Sequence, residues 1–142
     1  MPTLEDAILL AAQAHRGQKD KVGQPYFLHL LRVMLRLASE QEQIVGVLHD
    51  LVEDTNYTLD DLRTQGYPEA IVQAVDCLTR RPTESYAQFI ERASANPLAR
   101  RVKLADLEDN MDVRRLPELG EKDVERLNRY IAVWRQLRAT EG

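Results

Sequence analysis

The densest chemistry in the chain lies in one run, His49-Asp50-Leu51-Val52-Glu53-Asp54-Thr55. At about 100° per residue, a helix stacks His49 with Glu53 on one edge and Asp50 with Asp54 on the next. One face then carries an imidazole and three carboxylates. The neighbours Leu48, Leu51 and Val52 are apolar, so that face is at least partly buried. Carboxylates this close repel one another and resist desolvation, and a proton or a cation relieves them. Two other segments could complete a cation site. His29 stands in an apolar stretch running from Pro25 to Leu31, and Asp106 and Asn110 share a helix face four residues apart. Two imidazoles and two carboxylates suit a divalent transition ion, Mn²⁺ or Fe²⁺, with Zn²⁺ as a competitor. Four protein ligands in an octahedral shell leave two positions for water and a substrate oxygen, the layout of a hydrolytic site.

The elements that must position these groups are helical throughout. Thr3 followed by Asp6 predicts a capped first helix, with Leu4, Ala7, Ile8, Ala11, Ala12 and His15 at helical spacing and Gly17 as its stop. Residues 18–24 form a polar loop, and Pro25 stands near the start of a second helix through Phe27, Leu30, Leu31 and Met34. A third helix is expected from about Glu40 to Val52. Shorter ones follow from Thr58 to Gly66, from Pro68 through Leu78, and from Thr83 or Ser85 to Asn96. Pro97 opens another that reaches toward Met111, and a last helix follows Gly120. No alternating strand is found. The reading is an all-α bundle of about seven or eight helices, taken as a single domain over 1–142.

The chain has 142 residues, 44% apolar and 30% charged, with 19 Lys and Arg against 23 Asp and Glu, a net charge of −4. That balance argues against a nucleic acid polymer or a polybasic membrane surface as partner. One cysteine, Cys77, excludes an intrachain disulfide and a multi-cysteine zinc site, and is read as a buried, inert thiol. No signal peptide or membrane span is expected, which makes a cytoplasmic protein the default. His15 is read as structural. Arg100-Arg101 and Arg114-Arg115 are read as solvated cations, and Tyr130, Trp134 and Leu137 as a core stripe or the contact of a homo-oligomer.

In order along the chain, Ala14-His15-Arg16-Gly17-Gln18, Gly23-Gln24-Pro25-Tyr26, His29, His49-Asp50, Glu53-Asp54-Thr55, Lys103-Leu104-Ala105-Asp106 and Asn110 resemble the HD phosphohydrolase superfamily. Within it they resemble the hydrolase domain of RelA/SpoT-type enzymes, above all a stand-alone small alarmone hydrolase. The resemblance spans about Ala11 to Asn110. It implies an HD-domain helical bundle, one bound Mn²⁺, and removal of the 3′-pyrophosphate of guanosine tetra- or pentaphosphate, a small-molecule nucleotide substrate. By position it implies His29, His49, Asp50 and Asp106 as metal ligands, and Glu53 and Asp54 as the pair that orients or deprotonates the attacking water. Lys21 and Lys103 resemble phosphate-side cations, Asn110 a ribose contact, and Thr55 a support of the acidic turn.

The resemblance departs at the nucleotide-reading positions. Nine residues before His29 the family carries an Arg that stacks on guanine, and here Asp20 stands there. After Asn110 the family continues Met, Arg, Thr, and here the run is Met111-Asp112-Val113. Leu30 replaces a common Pro. The expectation is metal-dependent phosphohydrolysis of guanosine tetraphosphate, bound differently, or of a related nucleotide phosphoester. Other readings are an idle metal-binding nucleotide sensor, a nucleotide phosphatase of the wider superfamily, and a plain all-α interaction module.

Overall fold

Local signals set the helix ends. In the computed structural model, which describes residues 1–142, α1 spans Leu4–Ala14 behind a capping box. The Asp6 amide donates to Thr3 Oγ1 at 3.1 Å, and the Thr3 amide donates to Asp6 Oδ2 at 2.9 Å. Then come α2 (Phe27–Leu35), α3 (Glu40–Leu48), α4 (Leu51–Asp54), α5 (Leu59–Thr64) and α6 (Glu69–Cys77). They are followed by α7 (Tyr86–Ala95), α8 (Pro97–Asn110), a 3₁₀ turn (Val113–Arg115) and α9 (Glu121–Glu141). Thr58, Ser85 and Asn96 cap α5, α7 and α8 through side-chain oxygens, and Pro97 takes the first position of α8. There is no strand. The one isolated bridge, Lys19 to Pro25, closes the loop that precedes α2.

That loop gives Asp20 a structural purpose. Its Oδ1 accepts from the Val22 amide at 3.0 Å and the Gln24 amide at 2.9 Å. Gly23 sits at φ 83°, a backbone region that side chains with a Cβ rarely adopt. Pro25 ends the loop and stands near the start of the second helix as expected, two residues before Phe27.

The third helix is not continuous to Val52 as expected. It ends at Leu48, and Asp50 at φ −100°, ψ 3° separates it from the single turn α4. The reason is local. His49 Nδ1 donates to the Gly46 carbonyl at 2.6 Å, an acceptor that an unbroken helix would give to the Asp50 amide. The break re-aims His49 and Asp50 relative to Glu53 and Asp54, so the two-edge stacking of a regular helix does not hold.

The main core lies around α3, where Ile44, Val45, Val47 and Leu48 are fully buried against α1, α2, α6 and α8. Each buried Leu or Ile there contributes about 1.5–3 kcal/mol over its exposed state. At Gly46 a Cβ would be 2.7 Å from Cδ1 of Leu37, just beyond α2, and 3.5 Å from Met34 Cα in α2, so the missing side chain makes room for the Leu37 side chain. A smaller cluster joins α7, α8 and α9 through Phe89, Ile90, Leu104, Leu107, Val133 and Leu137, with Tyr130 and Trp134 packed on it. The aromatic stripe of the last helix is therefore core. Arg100 and Arg101, expected to be solvated, instead anchor α8: Arg100 to Glu141 at 2.6 Å and Arg101 to Glu42 at 2.9 Å. No helix is long and apolar enough to cross a membrane.

Candidate metal centre

Three distant stretches of chain meet beside the main core. α2 brings His29, the α3–α4 break brings His49 and Asp50, and α8 brings Asp106. Ligand atoms of His29, His49 and Asp106 all lie within 4.8 Å of one another, and these residues are only 5%, 3% and 5% exposed. His29 Nε2 is 2.9 Å and His49 Nε2 3.4 Å from the same oxygen, Asp106 Oδ1. Asp50 stands at the edge of this group. Its Oδ2 is 3.3 Å from His49 Nε2 and accepts from the Tyr26 hydroxyl at 2.5 Å.

The donor set fits a divalent cation. Because His49 Nδ1 holds its hydrogen against the Gly46 carbonyl, its Nε2 presents a lone pair in the neutral ring. That nitrogen is buried, has no hydrogen-bond partner, and faces oxygens of both Asp50 and Asp106. A lone pair opposed to two carboxylates is unfavourable unless a positive charge lies between them. Burial disfavours a charge on His49, but Asp50 and Asp106 outweigh it and push its pKa up. Burial likewise opposes charging His29, yet Asp106 and Asp109 on its two nitrogens raise its pKa to about 9. Burial also works against the ionised form of Asp106, but Lys103 and the two histidines hold its pKa well below the usual carboxylate range.

Behind these groups stands a supporting layer that the sequence reading did not single out. Asp109 is fully buried, and its Oδ2 accepts from His29 Nδ1 at 2.7 Å. Its Oδ1 accepts from Arg32 Nε at 2.8 Å, and Arg115 Nη1 lies 3.6 Å away. A carboxylate behind a ligating histidine fixes the ring tautomer and raises its basicity. The signal in the sequence was the i, i+3 spacing of Asp109 from Asp106 and the cations Arg32 and Arg115. Arg115 is thus no solvated cation, whereas Arg114 is largely exposed and pairs with Asp112 at 2.7 Å. Lys103, expected on the phosphate side, turns inward: its Nζ donates to Asp106 Oδ2 at 2.8 Å, which leaves Oδ1 toward the histidines. Asn110 Nδ2 donates to that Oδ1 at 3.3 Å.

Glu53 and Asp54 sit exposed on α4. Partial burial, Asp50 and Glu53 together raise the Asp54 pKa to about 6. The turn is braced on both sides. Thr55 Oγ1 donates to the Leu51 carbonyl at 2.6 Å and accepts from the Tyr57 amide at 3.1 Å. Gln18 Nε2 donates to the Asp54 carbonyl at 3.0 Å, and Gln18 Oε1 accepts from His15 Nδ1 at 2.8 Å. Glu53 Oε1 accepts from the Arg80 amide at 2.8 Å.

A cavity of about 290 Å³ opens from this centre at Tyr26 and His29. Lys21, Arg32, Asn110, Arg115, Arg126 and Tyr130 are among its walls. Its cations suit an anionic small molecule. Asp20 and Asp112 also border it, but Asp20 is occupied by loop amides and Asp112 by Arg114.

A helical bundle with His29, His49-Asp50 and Asp106 converging at its centre is an HD-type fold. No family model matches the chain. It is 34% identical over 125 residues to a GTP pyrophosphokinase of Streptomyces coelicolor, an alignment covering 79% of this chain and 15% of that protein. It is 30% identical over 120 residues to the guanosine-3′,5′-bis(diphosphate) 3′-pyrophosphohydrolase of Aquifex aeolicus, covering 76% of this chain and 17% of the relative. The chain therefore spans a small part of the length of these much longer relatives. A solved structure described as a metazoan ortholog of SpoT that hydrolyzes ppGpp superposes with a TM-score of 0.78 at 24% identity, over 99% of this chain and 89% of that one. The chain has the HD-domain fold of the RelA/SpoT-type hydrolases.

Proposed function

We propose that this chain is a metal-dependent, cytoplasmic phosphohydrolase that removes the 3′-pyrophosphate of guanosine 3′,5′-bis(diphosphate) or cleaves a closely related nucleotide phosphoester. The observation that carries the reading is His49 Nε2, a buried nitrogen of fixed tautomer facing two carboxylates. The activity for which the Aquifex relative is named supports the substrate class. In this reading His29, His49, Asp50 and Asp106 hold Mn²⁺, with Fe²⁺ or Zn²⁺ as alternatives. Such an ion, when bound, stabilises charge on a phosphoryl oxygen and lowers the pKa of water.

The chain's own residues do the rest. Asp54, with a pKa of about 6, is ionised at neutral pH yet close enough to neutrality to take a proton. Glu53, held by the Arg80 amide, orients the water beside it. Water adds to the phosphorus attached to ribose O3′, the bond from that phosphorus to O3′ breaks, and a nucleoside diphosphate and pyrophosphate are released. Lys103 keeps Asp106 ionised and turned, while Lys21 and Asn110 contact the nucleotide in the cavity.

The test is a panel with Mn²⁺: guanosine tetraphosphate, nicotinamide dinucleotide phosphates, and nucleoside mono- and diphosphates. Turnover of guanosine tetraphosphate is expected, with Asp106→Ala losing metal and activity, and Glu53→Ala keeping the metal but losing most activity. Silence across the panel from Mn²⁺-loaded protein overturns the enzyme in favour of a sensor.

A further inference from the structure

Two guanidinium groups lie over one tyrosine ring, and neither is paired with a carboxylate. Arg80, on the α6–α7 connection, and Arg129, on α9, each place Cζ 5.7 Å from the centre of the Tyr86 ring. Neither forms an ion pair, whereas their chain neighbours Arg81, Arg92 and Arg126 lie 3.2, 2.5 and 2.5 Å from a carboxylate oxygen. Arg80 Nε donates only to the Glu84 carbonyl at 3.4 Å, so in a chain with more acids than bases neither guanidinium has taken a carboxylate. The second observation is the Tyr86 hydroxyl itself, which is buried and has no hydrogen-bond partner.

The patch touches the proposed machinery at three points. The Arg80 amide donates to Glu53 Oε1 at 2.8 Å. Phe89, whose ring is 6.2 Å from that of Tyr86, underlies the Lys103 ammonium that holds Asp106. Arg129 also lies 5.7 Å from the Tyr130 ring, a wall of the cavity. Glu53, Arg80 and Tyr86 are not themselves cavity walls, while His29 and Tyr130 are. These contacts put the patch beside Glu53, Lys103 and Tyr130, next to the centre and to one wall of the cavity.

We infer that Arg80 and Arg129 form an anion subsite for the outer phosphate of the group that is cleaved off. Guanidinium groups bind phosphate oxygens in pairs of charge-assisted hydrogen bonds, and two of them offset the charge of a terminal phosphate. A single phosphate at the scissile position does not reach them. The subsite thus selects a diphosphate leaving group over a monophosphate. This rests on the phosphohydrolase reading above and deepens it by naming which phosphoester is preferred.

The test uses the full chain with Mn²⁺ in excess, as wild type, Arg80→Gln, Arg129→Gln and the double variant. Inorganic pyrophosphate and orthophosphate are titrated by calorimetry, without nucleotide. Pyrophosphate affinity is expected to fall about tenfold per arginine removed, the effect of one charge-assisted contact, while Mn²⁺ and orthophosphate affinities stay at wild-type values. Where guanosine tetraphosphate is turned over, the preference for a 3′-diphosphate over a 3′-monophosphate falls in parallel. Unchanged pyrophosphate affinity in the double variant overturns the subsite, and an equal loss for orthophosphate overturns its selectivity. Because binding is read without turnover, the subsite fails or stands separately from the choice of nucleotide.

Discussion

Asp109→Asn asks whether the buried carboxylate behind His29 tunes the cation site. Asp106 and Asp109 raise the His29 pKa from 6.5 to about 9 against the opposition of burial, which favours a positive charge at that ring by about 3 kcal/mol. Asp109 is one of several contributions to that rise, beside the hydrogen bond and charge of Asp106 and the charge of Asp50, and its removal is expected to cost about tenfold in affinity for a cation. That is the lower end of the roughly 10–100-fold expected when the partner of a ligating histidine is lost. Asparagine keeps the volume. Its amide oxygen can still accept from His29 Nδ1, but its NH₂ then opposes the Arg32 Nε–H that now donates at 2.8 Å. Calorimetric titration with Mn²⁺ reads the site, and thermal melting in chelator reads the fold. The expected result is one ion per chain, bound at least about tenfold more weakly than by the wild type. Mn²⁺ affinity within about twofold of wild type in folded Asp109→Asn protein refutes the reasoning.

Asp54→Asn is expected to stabilise the chelated protein at neutral pH. The Asp54 pKa rises on folding from 3.8 to about 6, so its stabilising protonated form is fully present below 3.8 and stability is lost as pH climbs through about 6. The melting temperature of the variant should therefore exceed that of the wild type above about pH 6 and match it below about pH 4. An unchanged or lower melting temperature at pH 7 contradicts this. Lys103→Met leaves Asp106 buried without its ammonium, a change that costs about 3–5 kcal/mol when one partner of such a pair is removed. The loss should appear in chelator and shrink when Mn²⁺ is added; wild-type stability with only a raised KM points instead to direct phosphate binding. Tyr26→Phe removes the hydroxyl that donates to Asp50 Oδ2, and Mn²⁺ affinity should drop about three- to tenfold with pyrophosphate affinity at Arg80 and Arg129 untouched. Calorimetry of the two ligands separates these outcomes.

Much of the architecture was legible because its signals act over a few residues. A hydroxyl or amide side chain three positions before a free amide, as at Thr3, Thr58, Ser85 and Asn96, sets a helix start wherever the chain goes. The apolar spacing of α3 and α6 marks a buried face for the same reason. Residue type also pointed to the chemistry: imidazoles and paired acids in a chain with one cysteine suit a divalent ion with nitrogen and oxygen ligands. What the chain order alone could not express is which atom meets which. His49 turns its Nδ1 on Gly46 and so breaks its own helix. Lys103 folds inward onto Asp106, Arg115 reaches Asp109, and Asp20 spends its carboxylate on loop amides. Each of these depends on where another element lies, because a long or buried polar side chain takes the partner that packing leaves within about 3 Å rather than the one nearest in sequence.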